Sequence, residues 1–231
     1  MVIKPLYLLA DSQLLFWKNG SDSLVERIRA DLDSAKPSAA YIGASNGDQP
    51  EFYSLFVAAM ESMEISDCRL VPSQPSREDI LFLESAGLIV LSGGDVELGW
   101  QVFEQNGFKE LLPKKRFDGA ILMGVSAGAV QLGLGCLSNE AQPKQINMFR
   151  FAPFYVGAHD ESNDWFDLRA LVNLAQSDAR AIGLPAGGGA VYYADGTLEP
   201  LRKPLIEIVK EDAKITENLM APPDPSHQPQ G

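Results

Sequence analysis

The sequence is poor in the residues that most often carry metal, redox and acid–base chemistry. Its two cysteines, Cys68 and Cys136, stand far apart without metal-ligand spacing, so neither a disulfide framework nor a zinc site is expected. Each reads as a small buried hydrophobe. Positive charge is scarce, with 19 Lys and Arg against 31 Asp and Glu and a net charge of −12. That balance disfavours nucleic acid and anionic membrane surfaces as partners. No run is long and apolar enough to span a bilayer, and Met1-Val2-Ile3-Lys4-Pro5 opens directly into a strand-like stretch without the pattern of a secretion signal, so a cytoplasmic protein without membrane contact is expected. There is no internal repeat, and there are only two histidines, His159 and His227.

What is present is a regular alternation. Strand-like apolar runs over residues 6–10, 39–43, 68–71, 88–91 and 120–123 are separated by helical patterns over 21–32, from Pro50 to about 63, 76–85, 96–103 and on to Lys115. Strict alternation predicts one α/β domain over residues 1–210: a single doubly wound, mostly parallel sheet, flavodoxin-like, with helices on both faces. Beyond a short helix after residue 127 the pattern loosens. Residues 137–158 read as irregular chain or a hairpin, 165–175 as a helix, and 181–184, 190–193 and 204–209 as strands, with Asp195-Gly196 as a hairpin turn. Residues 211–231 end in a Pro-rich polar stretch and read as a disordered tail.

The chemistry concentrates at Gly124-Val125-Ser126-Ala127-Gly128, between an apolar strand and a helical pattern. This is the context of a nucleophile elbow, and Ser126 is the candidate nucleophile. The same pentapeptide also fits a plain strand-to-helix turn in which Ser126 only caps the helix. The strand at 88–91 runs into Ser92-Gly93-Gly94-Asp95, where paired glycines leave backbone N–H groups free for a ligand. Gly94 and Ala127 are the candidate oxyanion donors, and Gly93, Asp95 and Asn46, in the polar turn after the strand at 39–43, are candidate substrate contacts. A serine needs a base, and because His227 lies in the tail, the base is His159. Its orienting acid is Glu140 or, second, Asp160, with a solvated Glu140 as the plain alternative.

So assembled, the chain resembles the cyanophycinase and peptidase E (aspartyl dipeptidase) family of serine peptidases, whose fold is like that of class I glutamine amidotransferases. The likeness runs from Leu6 to about Pro200 and rests on Leu91-Ser92-Gly93-Gly94-Asp95, the Gly-x-Ser-Ala-Gly elbow, Ser138-Asn139-Glu140 in the place of the triad acid of peptidase E, and His159; Gly183-Leu184-Pro185-Ala186-Gly187 resembles a late Gly-Ile/Leu-x-Glu-Gly segment. The resemblance implies a serine hydrolase of small peptides or amides, with no cofactor and no metal. A homodimer is compatible with it. There are departures. His159 is followed by Asp160, Glu161, Ser162, Asn163 and Asp164, where cyanophycinases carry arginines that grip an aspartyl carboxylate; Val96 stands for a substrate-binding Gln, and Ala186 for the Glu of the cyanophycinase triad. A wall of carboxylates after His159 would repel an acidic substrate and favour a cationic or amine-bearing one, with Arg169 the only nearby cation. The competing expectation is a catalytically inactive member that keeps the fold as a binding module.

Overall fold

The computed structural model describes residues 3–19, 22–34 and 36–223. The central strand, β1 (Leu6–Leu9), is buried on both faces: Leu6 and Leu8 join one core, Tyr7 and Leu9 the other. A strand covered on both sides needs apolar residues at every position, and Leu-Tyr-Leu-Leu supplies them. Four more strands run parallel in the same sheet: β2 (Ser38–Ile42), β3 (Asp67–Val71), β4 (Leu88–Leu91) and β5 (Ile121–Val125). The later chain adds β6 (Tyr155–Ala158), β7 (Ala179–Leu184), β8 (Gly189–Tyr192), β9 (Leu198–Leu201), β10 (Leu205–Glu211) and β11 (Lys214–Met220). The main sheet has seven strands in the order β9-β8-β1-β5-β4-β2-β3, and its last two additions, β8 and β9, are antiparallel to their neighbours.

Helices cover both faces. α1 (Leu24–Asp31) and α2 (Pro50–Glu61) bury Val25, Ile28, Phe56 and Met60 in one core. α3 (Arg77–Ser85), α4 (Val96–Gln105), α5 (Phe108–Phe117) and α6 (Ala127–Leu132) bury Leu83, Phe103, Phe108 and Leu132 in the other. Their starts follow local chemistry: Ser76 and Asp79 form a capping box, Asp95 accepts the Leu98 N–H, and Pro50 opens α2. The doubly wound, mostly parallel sheet expected from the alternation is the fold observed. It breaks once, where α4 runs into α5 with no strand between them, and Gly107, at φ +69°, turns the chain.

The pattern did not reveal a second sheet. Strands β6, β7, β10 and β11 form a second, four-stranded sheet that packs Tyr155, Trp165, Leu168, Leu171, Ala181 and Ile208 in a small core under α7 (Phe166–Leu174) and buries Val156, Ile182, Leu184 and Leu205 in the core of the main sheet. The stretch read as irregular chain or a hairpin divides into a small antiparallel hairpin ladder, Gly135–Leu137 against Gln145–Asn147, and then β6. The tail expected from residue 211 instead begins with β11, which pairs along β10 through a turn with Asp212 and Ala213 at positive φ. Residues 224–231, with His227, lie outside the described residues. Among the described residues no helix is long and apolar enough to cross a membrane.

Candidate active site

At the carboxyl end of β5 the chain turns sharply at Ser126, with φ 49° and ψ −110°, before α6 begins. A non-glycine residue there stores about 1–3 kcal/mol of backbone strain, which the surroundings must hold. They do so with hydrogen bonds from the Ser126 N–H to the Leu9 carbonyl (2.8 Å) and from the Gly128 N–H to the Ser92 carbonyl (3.1 Å). Gly128 cannot be larger, because a Cβ would stand 2.3 Å from the Leu91 carbonyl oxygen. Ala127 is the first residue of α6, so its N–H has no acceptor within the helix.

The loop after β4 lies beside this turn. A Cβ on Gly93 would sit 3.3 Å from that of Ser126. Gly94 has φ +127° and is pressed against the loop after β2, where a Cβ would meet the Ser45 carbonyl oxygen at 2.1 Å. The Asp95 N–H donates to that same carbonyl at 2.7 Å. Behind it the fully buried Gln131 donates from Nε2 to Ser45 Oγ and to the Val96 carbonyl, both at 3.0 Å. Among the described residues the N–H groups of Gly93, Gly94 and Ala127 donate to no backbone carbonyl.

The histidine arrives from the second sheet. After α6 the chain reverses: the Leu134 N–H donates to the Phe154 carbonyl at 3.0 Å, and a Cβ on Gly133 would lie 3.0 Å from the Val156 side chain. β6 therefore runs back along α6 and delivers His159 to the elbow. Its N–H donates to the Leu184 carbonyl at 2.8 Å, and Nε2 lies 2.8 Å from Ser126 Oγ across 33 positions of sequence. Among the described residues this is the only hydrogen bond of the imidazole.

Glu140 does not reach that ring. The loop that carries it closes on itself, with the Ser138 N–H bonded to the Lys144 carbonyl at 2.8 Å and the Lys144 N–H to Ser138 Oγ at 3.0 Å. At its tip the Glu140 side chain is 60% exposed and pairs with Lys144 at 3.3 Å. The acidic run after His159 also disperses. Glu161 accepts the Ala186 N–H at 2.7 Å, Asp164 pairs with Arg169, and Arg169 pairs further with Glu217 on β11. Asp160 alone stays at the site, its carboxyl held above the usual value by burial first and by the charge of Asp167 next, with His159 pulling the other way.

Two cavities flank the serine–histidine pair. The larger, about 590 Å³, opens beneath Ser126, Gly93 and Gly94 between β2 and α2. Asn46 lines it, but its carboxamide is engaged, donating to Tyr41 Oη at 2.9 Å and accepting the Gln49 N–H at 3.2 Å. The smaller, about 410 Å³, is bounded by His159 and by the carboxylates of Asp95, Glu97, Asp160 and Asp167. Asp95 there also caps α4 through the Leu98 N–H at 2.9 Å, and Glu97 accepts the Asn139 N–H. Their combined field reaches Cys136, whose thiol is pushed up to about 12 by burial and then by Glu97, Asp167 and Asp95. Among the described residues no three His, Cys, Asp or Glu side chains converge as a metal ion would require.

Two contributors escaped the sequence reading. Asp11, just past β1, accepts the Gly187 N–H at 2.6 Å and the Gln13 N–H at 2.8 Å, tying the loop after β7 to the site. Phe52 follows the helical spacing of Phe56 and Met60, which are buried in the core. It is nonetheless 46% exposed in the larger cavity, because the first turn of α2 overhangs the carboxyl edge of the sheet. Its place one turn before the buried stripe, directly after the polar turn, was the available signal.

The fold recurs in solved structures. A peptidase from an acI-B1 actinobacterium aligns with a TM-score of 0.59 at 17% identity, covering 96% of each chain. A peptidase E protein from Listeria monocytogenes EGD-e aligns with a TM-score of 0.58 at 14% identity, over 94% of this chain and 99% of that one. No curated protein matches the sequence. The model of peptidase family S51 matches residues 7–198, the stretch that holds the elbow, the glycine loop and His159, and the chain belongs to that family.

Proposed function

We propose that the protein is a serine peptidase-like hydrolase that cleaves a small peptide or amide through an acyl-enzyme on Ser126. The observation that carries this reading is the 2.8 Å hydrogen bond between Ser126 Oγ and His159 Nε2 at a strained strand-to-helix turn. In the first step Oγ attacks the substrate carbonyl carbon, its proton passes to Nε2, and the carbonyl electron pair moves onto oxygen. The N–H groups of Gly94 and Ala127 receive that oxyanion. As the C–N bond breaks, the imidazolium returns the proton to the leaving nitrogen, which departs as an amine. Water then attacks the ester, loses a proton to His159, and releases the acid and a reprotonated Ser126.

No side-chain acceptor holds the imidazole in this scheme. Asp160 and Asp167 line the smaller cavity with the imidazole, so the unit is a dyad beside carboxylates. The amine leaves on the carboxylate-lined side, which favours cationic or amine-bearing leaving groups over acidic ones. A cytoplasmic setting fits this chemistry. The test is hydrolysis of a panel of dipeptides and amino-acid amides, with α- and β-aspartyl, glutamyl, lysyl and arginyl members, by wild type and Ser126→Ala. Turnover that disappears in the variant supports the mechanism, and equal turnover by the variant overturns it.

The second reading, an inactive family member serving as a binding module, is favoured by one observation: beyond Ser126 the imidazole has no hydrogen-bond partner among the described residues. A fluorophosphonate that labels Ser126 in wild type but not in His159→Gln decides between the two.

A further inference from the structure

The larger cavity is apolar in a way its residue types alone do not convey. Its floor is the rings of Tyr41 and Phe56, 5.2 Å apart between centroids, and the polar groups beside them, Tyr41 Oη and the Asn46 carboxamide, are bonded to each other. Its rim carries Phe52, Leu55 and Leu98, which are 46%, 44% and 44% exposed. Exposed apolar side chains gathered around one concavity next to a reactive group mark a place where something apolar is bound. Among the described residues the only Asp, Glu, Lys or Arg in the lining is Asp11, whose carboxylate already accepts two backbone N–H groups. Among the described residues no lysine or arginine lines the cavity, so an acidic side chain placed there would give up its water without a lysine or arginine counter-charge.

The two cavities also differ in how much of the dyad they reach. Both are bounded by His159 and Gly94, but only the larger is also bounded by Ser126 and Gly93. The serine bonds to the acyl carbon, so the acyl part belongs in the cavity that the serine lines, and the smaller cavity, which has the histidine but not the serine, is left for the departing amine. Resting on the serine-hydrolase reading above, we propose that the acyl residue of the substrate carries a large apolar or aromatic side chain, seated among Leu15, Tyr41, Phe52, Leu55, Phe56 and Leu98.

The test uses the intact protein and two diphenyl phosphonates, one bearing a benzyl side chain and one a carboxymethyl side chain. In each, Ser126 Oγ displaces phenoxide from phosphorus, and His159 carries the proton from serine to the phenoxide. Wild type is expected to react at least ~10-fold faster with the benzyl reagent, as differential burial in an apolar pocket gives. Leu55→Arg, at an exposed rim position that tolerates change, is expected to shrink that ratio at least ~10-fold by supplying the missing counter-charge. Equal or faster reaction of wild type with the carboxymethyl reagent, or an unaltered ratio in Leu55→Arg, overturns the proposal while leaving the serine mechanism in place. Failure of a small fluorophosphonate to label Ser126 at all overturns the serine mechanism, and the proposal falls with it.

Discussion

Ser126 and His159 meet at 2.8 Å although each belongs to a different sheet, because β6 doubles back along the helix that Ser126 begins. A pair that acts as one unit loses its function when either member goes. Ser126→Ala and His159→Gln are each expected to lower kcat by at least ~10³, and the double variant to be no worse than the poorer single. Steady-state rates on the best amide substrate check this, and multiplicative losses in the double variant would contradict it.

The ion pair of Glu140 with Lys144 is exposed and local, four residues apart at the tip of a closed loop. Glu140→Gln is therefore expected to change kcat/KM by less than ~2-fold and stability by less than ~0.5 kcal/mol. A drop comparable to that of His159→Gln would return Glu140 to the imidazole.

Gly94 leaves no room for a side chain against Ser45 and sits at φ +127°. Gly94→Ala must shift the loop and with it a proposed oxyanion donor, so kcat is expected to fall by ~10²–10³. Unchanged kcat with altered KM would remove Gly94 from that role.

Burial pulls the Asp79 carboxyl upward, but hydrogen bonds from Ser76 and the charge of Arg69 outweigh it and hold it below its ordinary value. A carboxylate with a depressed folded pKa stabilises the fold above its unfolded pKa and ceases to do so as pH falls through the folded one. Ser76→Ala should thus cost ~0.5–2 kcal/mol at pH 7, with the difference from wild type shrinking below about pH 4. Denaturant melts at both pH values measure this, and a deficit that grows on acidification would refute the assignment.

Both thiols are held protonated, Cys68 at about 11 and Cys136 at about 12, in each case by burial first and neighbouring acids second. At pH 8 the thiolate fraction is then on the order of 10⁻³ or less. Native protein is expected to resist iodoacetamide over an hour while unfolded protein takes up two equivalents, as mass spectrometry would read directly. Rapid modification of Cys136 would mean that the carboxylate field around it is misplaced.

Much of this site could be read from residue order. The elbow and the glycine loop are set by local rules: a buried strand, a turn only small residues permit, and a helix after it. The main sheet followed from apolar runs at regular spacing. What stayed hidden was every feature decided by long-range packing. Tyr155–Ala158 is too short and too flanked by proline and aromatics to announce itself as a strand, yet it is what carries His159 home. Glu140 held the right place in the order of residues, but order says nothing about where a loop tip points once Ser138 and Lys144 have closed it. The carboxylates after His159 formed a block in sequence and scattered in space, because neighbours in a tight turn face different directions.

The division between the two sheets sets an order of failure on heating. The nucleophile sits in the larger, doubly covered core, whereas the base hangs from a four-stranded sheet that shares this core on one face, through Val156, Ile182, Leu184 and Leu205, and has a small core and an exposed edge strand on the other. The face held only by the smaller core opens at lower cost than the face seated in the larger one. Loss of that smaller core should silence the site while the central sheet is still intact, and its return on cooling should restore it.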